Sequence, residues 1–143
     1  MNTYPTPQYQ QFHIEGIVHV SPYDTFAALL EAEIMLLDVR DENEVSQEKF
    51  GNYPSILYHP IGVIMARLDK IPRDKPIVVA CTQGIRSTKV ANLLSRQGFK
   101  HTANLDGGIA AWKEQGMPVI RGTRTYSAGM GCNGNCGGCS GTC

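Results

Sequence analysis

From Met1 to Gly131 the chain holds one cysteine, Cys81, although five occur in all. A disulfide framework through the body of the protein is therefore excluded. Runs of basic residues are missing too. The 13 Lys and Arg residues are scattered and matched by 13 Asp and Glu, for zero net charge. That removes the electrostatic footprint of a nucleic-acid binder or of a protein held on an anionic membrane. Long apolar runs are also absent. "IMLL" and "PIVVAC" fall far short of the roughly 20 residues that cross a bilayer. The opening "MNTYPTPQYQQF" has neither a basic start nor an apolar core, so no signal peptide is expected. An odd cysteine count without a secretory signal points to reduced thiols in a cytoplasm, kept for metal binding or chemistry.

What is present is a regular alternation. Residues 1–12 are polar and uncharged, hold two prolines, and are expected to form a loose, flexible arm. A domain is expected over 13–120. "IVHV" (17–20) reads as a short strand. "SPYDTFAALLEAE" reads as a helix, with Ser21 as N-cap, Pro22 in the first turn, and Phe26, Leu29 and Leu30 on one face. "IMLLD" (34–38) and "PIVVAC" (76–81) are continuous apolar runs of strand length, as in strands covered on both faces. "SILYHPIG" holds a strand ending before Pro60, and "VIMARLDKI" predicts a short amphipathic helix. "STKVANLLSRQG" predicts a helix with Ser87 near its cap and Gly98 as its stop. "TANL" and "GIAAWKEQG" supply a last strand and helix, with Trp112 packing that helix. Strand and helix in turn predict an α/β fold: a mostly parallel sheet of about five strands with helices on both faces. Ligands in such sheets bind at the carboxyl ends of strands, which singles out Asp38 and Cys81.

Cys81 ends a buried run, a tight loop follows, and a helix starts at once. Backbone N–H groups of that loop and the helix N-terminus converge on whatever the sulfur carries. Gly84 permits a backbone conformation that a Cβ resists, and Arg86 adds positive charge. The setting favours a reactive thiolate, and still more an anionic adduct on the sulfur.

With those residues in place, the chain resembles the rhodanese-like sulfurtransferases. "CTQGIR" fits their C-x-x-G-x-R loop, "LLDVRDENEV" is similar to their early D-x-R segment, and "LDGGIAAWKEQGMPV" to their final strand and helix. The resemblance covers residues 13–120 and implies a rhodanese-like fold. It implies Cys81 as the carrier of a sulfane sulfur, taken as a persulfide from a small sulfur-containing anion such as thiosulfate, or from a persulfide donor. The acceptor would be cyanide or a thiol, on a small molecule or a thioredoxin-like protein. The loop Thr82, Gln83, Gly84, Ile85, Arg86 and Ser87 would hold the terminal sulfur, with Cys81 and Arg86 catalytic and no cofactor required. The resemblance also sets Asp38 beneath the loop, where it would accept its hydrogen bonds or pair with Arg86. Arg40 would draw in an anionic donor or be a solvated surface charge. Asp106 is expected to cap the last helix. One departure is local: "SQEKFGNYPSILYHPIG" is longer than the family's corresponding stretch and lacks its Gly-His.

Two rivals differ in class. Phosphatases on this fold have five residues between cysteine and arginine. Here there are four, a smaller ring suited to one sulfur atom, and no loop aspartate to act as general acid. A non-catalytic sulfur or metal carrier, or an interaction module, would have less use for Cys81, Gly84 and Arg86 together. The four histidines show no ligand spacing. The Gly/Cys-rich tail, 121–143, carries Cys132, Cys136, Cys139 and Cys143 in the pattern C-x3-C-x2-C-x3-C. Four soft ligands so spaced suit zinc, copper(I) or an iron–sulfur cluster. If residues 121–131 form a flexible linker, its reach of about 18 Å lets tail thiols act instead as internal sulfur acceptors for Cys81.

Overall fold

The computed structural model describes residues 2–122. In chain order the elements are β1 (His19–Val20), α1 (Pro22–Leu30), β2 (Met35–Asp38), α2 (Glu42–Gln47), β3 (Glu48–Lys49), β4 (Ile56–Tyr58), β5 (Ile77–Ala80), α3 (Ile85–Arg96), β6 (Thr102–Leu105), α4 (Gly108–Glu114) and β7 (Ile120–Arg121). They fall in two compact units, one of Met1–Glu42 with Phe50–Val119, the other of Asn43–Lys49 with the chain from Ile120.

The first unit is built on five parallel strands in the order β1-β6-β5-β2-β4. Strand side chains alternate between faces, and both faces here are covered. Leu36, Val78, Ala80, Ala103 and Leu105 pack with Ala28 and Leu29 of α1 and Ile109 and Trp112 of α4. Leu37, Ile77, Val79 and Cys81 pack with Val90, Ala91 and Leu94 of α3. That is why β2 and β5 read as unbroken apolar runs. Trp112 is fully buried, edge-on to Phe26 and Phe50 with centroids 5.6 and 5.0 Å away. Its Nε1 donates to Pro118 O at 2.8 Å, so the indole leaves no polar atom stranded. Ser21 caps α1, its Oγ accepting from Asp24 N at 3.1 Å. The helix expected near 63–71 is instead two 3-10 segments, Ile61–Val63 and Met65–Lys70. Arg67 has non-helical φ and ψ inside the second, so no α-helical ladder runs through it.

The expected loose arm is tied down. Tyr4 bridges His19 through both backbone bonds at 2.8 Å. Gln8 N and Tyr9 N donate to Asp106 Oδ2 and Oδ1 at 2.6 and 3.0 Å. Composition hid this because the partners are polar groups, the His19 backbone and the distant Asp106 carboxylate, needing no apolar pattern in the arm.

In the second unit β3 and β7 pair antiparallel, Glu48 opposite Arg121. Arg121 Nε lies 3.0 Å from Glu48 Oε2, and Gly122 N donates to Gln47 O at 2.9 Å. Arg121 and Gly122, assigned from the sequence to the tail, thus belong to a ribbon.

Candidate active site

Cys81 is the first residue beyond β5, and 1% of it is exposed. Strand parity turns its side chain to the α3 face, under the start of that helix. Its Sγ accepts from Gly84 N at 3.1 Å and from Ser87 N at 3.4 Å, while Ser87 Oγ stands 3.3 Å away. Gly84 caps α3 at φ +96°, in the left-handed region where a side chain is strained. A Cβ there would also collide with the Gln10 amide. The other side of the loop is held by α4. Ile109 N donates to Cys81 O at 2.9 Å and Ala110 N to Thr82 O at 3.0 Å. Gly108 makes that approach possible: at φ +64°, its Cβ would lie 2.5 Å from both carbonyl oxygens. Arg86 Nη2 donates to Thr82 Oγ1 at 3.1 Å, spanning the loop. Gln83 and Ile85 face outward. The structure thus brings Cys81, Thr82, Gly84, Arg86 and Ser87 together. The arrangement can hold negative charge on or near Sγ with fixed amide donors and one guanidinium.

Asp38 is not part of this group. Its carboxylate takes Arg40 as partner: Oδ1 accepts from Arg40 N at 3.1 Å and from Nε at 3.0 Å, and Oδ2 from Nη2 at 2.8 Å. Asp38 stands opposite Ala80 in the β2–β5 register, and Ala80 packs with the α1 and α4 cluster. The two carboxylate-bearing and thiol-bearing positions therefore look to opposite faces of the sheet. That is why Asp38 pairs with Arg40 rather than with Arg86 on α3. Arg40 is no surface charge: it is 3% exposed and lies over the Phe50 ring at 5.4 Å. Across the register from Asp38, Tyr58 has its hydroxyl pKa raised, first by burial and then by the Asp38 charge, with Arg40 opposing. Asp106 does not cap α4. Gly107 stands there without a side-chain cap, and the carboxylate is spent on Gln8 and Tyr9.

Sequence reasoning missed a buried polar cluster behind Cys81. Ser87 Oγ bonds Asn104 Oδ1. Asn104 Nδ2 lies 2.9 Å from Gln10 Oε1 and 3.0 Å from His19 Nδ1, and His19 Nε2 is 2.9 Å from His13 Nδ1. Asn104, Ser87 and His19 are fully buried. Burial holds His19 below the ordinary histidine value of 6.5, with Asp106 pulling the other way and His13 adding to the fall. A signal was available: Asn104 in "TANL" and His19 in "IVHV" each stand where a covered strand wants an apolar residue. Among the described residues no group of three or more His, Cys, Asp and Glu is placed to hold a metal ion. No helix among them is long and apolar enough to cross a membrane. Cys132, Cys136, Cys139 and Cys143 lie outside the described residues.

A buried thiol at the carboxyl end of a parallel strand, cradled by amides that open a helix, defines an α/β protein with a candidate site centred on a cysteine. Comparison with known proteins places the chain within that class. It belongs to the rhodanese-like domain family, whose model matches residues 23–115. It is 35% identical over 88 residues to a sulfurtransferase of Allochromatium vinosum, covering 62% of this chain and 79% of that one. A thiosulfate sulfurtransferase GlpE of Coxiella burnetii is 31% identical over 94 residues, covering 66% and 85%. Among solved structures, the polysulfide-sulfur transferase homodimer of Wolinella succinogenes is similar, with a TM-score of 0.65 and 29% identity over 78% of this chain and 83% of that one. These relatives support sulfur transfer as the role of the domain.

Proposed function

We propose that the protein moves a sulfane sulfur through a persulfide on Cys81. One observation carries this: Cys81 Sγ receives the N–H groups of Gly84 and Ser87 at 3.1 and 3.4 Å at the mouth of α3. Amides so aimed favour a sulfur anion. With thiosulfate as donor, the thiolate attacks the outer sulfur. Cys81–S⁻ and S–SO3²⁻ become Cys81–S–S⁻ and SO3²⁻. The S–S bond to sulfite breaks as the bond to Cys81 forms, and the sulfite keeps the bonding pair. Cyanide then takes the terminal sulfur as thiocyanate and returns Cys81–S⁻. Arg86 and the loop amides hold the charge in both halves. The four residues between Cys81 and Arg86 support a ring for one sulfur atom over a phosphate.

A thiol acceptor fits the surroundings. A pocket of about 310 Å³ flanks the loop, lined by Gln83, Ile85, Tyr9, Phe12 and Ala110, and among the described residues that line it Glu114 is the one charge. Lacking a cation, that wall suits a neutral thiol better than a second anion. The test is transfer from thiosulfate to cyanide, read as thiocyanate. Cys81→Ser is expected to abolish turnover and the mass gain of one sulfur after loading. A variant that kept full activity would sink the mechanism.

A further inference from the structure

We propose that Ser87 meets Cys81 as a hydrogen-bond acceptor, and that Gln10 and Asn104 are positioning residues that hold it in that role. Proton positions follow from groups whose character is fixed. Gly107 N–H can only donate, so the Gln10 atom 2.8 Å from it is the oxygen. Gln10 Nε2 in turn donates to Phe12 O at 2.8 Å and Gly84 O at 3.2 Å, which can only accept. With Gln10 Oε1 fixed, the Asn104 atom 2.9 Å from it is the amide nitrogen. Asn104 therefore turns its oxygen to Ser87 and takes the hydroxyl's one proton. What Ser87 has left for Cys81 Sγ, 3.3 Å away, is its lone pairs. The same constraint extends to His19. The second amide proton of Asn104 points at His19 Nδ1, 3.0 Å away, so that nitrogen is bare. His19 then carries its proton on Nε2 and donates to His13 Nδ1 at 2.9 Å.

Two kinds of partner thus surround one sulfur. The amides of Gly84 and Ser87 favour an anion, whereas an acceptor oxygen favours S–H over S⁻. Given Cys81 as the sulfur carrier, this division serves the release step. Cys81–S–S⁻ and R–SH give Cys81–SH and R–S–S⁻. The S–S bond at Cys81 breaks, another forms to the acceptor, and the acceptor's proton ends on Sγ. Ser87 Oγ accepts that S–H, so the emptied cysteine is held as a thiol.

The sign of this effect is opposite to that of a serine donating to a thiolate. In the full-length protein, alkylation of Cys81 by iodoacetamide is followed by peptide mass as a function of pH. Ser87→Ala is expected to raise the rate on the acidic side of the profile by roughly threefold to tenfold, the range of one neutral hydrogen bond. Gln10→Ala acts in the same direction. It frees Asn104 to turn its nitrogen to Ser87, with the His19 proton moving to Nδ1, and Ser87 then donates to the sulfur. In the Ser87→Ala background, Gln10→Ala should add nothing. Slower alkylation in Ser87→Ala, an unmoved profile, or a full Gln10→Ala effect without Ser87 would overturn the proposal. A measurement free of substitutions is ¹⁵N NMR of the imidazoles: His19 protonated on Nδ1 at neutral pH would overturn it as well. Neither readout involves sulfur transfer, so failure of the persulfide mechanism in the Cys81→Ser assay is a separate outcome.

Discussion

Asp38 and Arg40 are both buried, at 0% and 3% exposure, and each carboxylate oxygen of Asp38 is used. Removing Asp38 takes a hydrogen-bonded carboxylate away from a buried guanidinium in a place water does not reach. Asp38→Ala is therefore expected to destabilise the protein by about 3–5 kcal/mol, read from urea unfolding. The same variant should leave the pH profile of Cys81 alkylation in place, because the pair lies on the other face of the sheet. A large shift in that profile with unchanged stability would restore Asp38 to the loop. At this scale the cysteine loop was legible: a thiol, a glycine and an arginine at fixed spacing after an apolar run state their chemistry locally. The roles of Asp38 and Arg40 were not, because which face a strand residue serves depends on register with β5. Asn104 and His19 were hidden for a related reason. Each is an isolated polar residue in a strand, and its partners come from Ser87 and Gln10, far along the chain.

Short continuous apolar runs gave β2 and β5 to within about a residue at each end, "TANL" coincides with β6, and Ser21 with Pro22 marked the start of α1. Elements set by tertiary partners escaped. β3 and β7 have two residues each, too few for a period to show. The N-terminal segment is the clearest case, since a polar, proline-bearing stretch offers no reason to dock until its acceptors are known. Asp106 supplies two of them, so Asp106→Ala should leave the Gln8 and Tyr9 amides without their carboxylate. Hydrogen exchange at those two amides is expected to accelerate by roughly tenfold or more, on the scale of about 1–3 kcal/mol for lost bonds to a charged acceptor. Amides within α4 should keep their protection, because Gly107, not Asp106, stands at its cap. Loss of protection in α4 with none at Gln8 and Tyr9 would return Asp106 to the capping role.

For the molecule as a whole, the parallel sheet and its covered faces followed from alternation of strand and helix, and the relatives share that domain. The four cysteines at 132, 136, 139 and 143 set this chain a separate problem: thiols in the same polypeptide as the cysteine proposed to carry the sulfur. As internal acceptors they would work in two balanced steps. Cys81–S–S⁻ and a tail thiol give Cys81–SH and a tail persulfide. A second tail thiol then displaces hydrosulfide, leaving a tail disulfide. As metal ligands they would instead be occupied as thiolates and slow to accept sulfur. Full-length protein and a variant with all four changed to serine separate the two. Relay predicts that loading with a persulfide donor oxidises a tail pair and releases hydrosulfide, and that both events vanish in Cys81→Ser and in the four-serine variant. A metal site predicts stoichiometric zinc, copper or iron in the parent, lost in the four-serine variant, with tail thiols unreactive until a chelator is added. Tail cysteines that stay reduced and metal-free while Cys81 turns over normally would remove both roles and leave sulfur transfer to the domain alone.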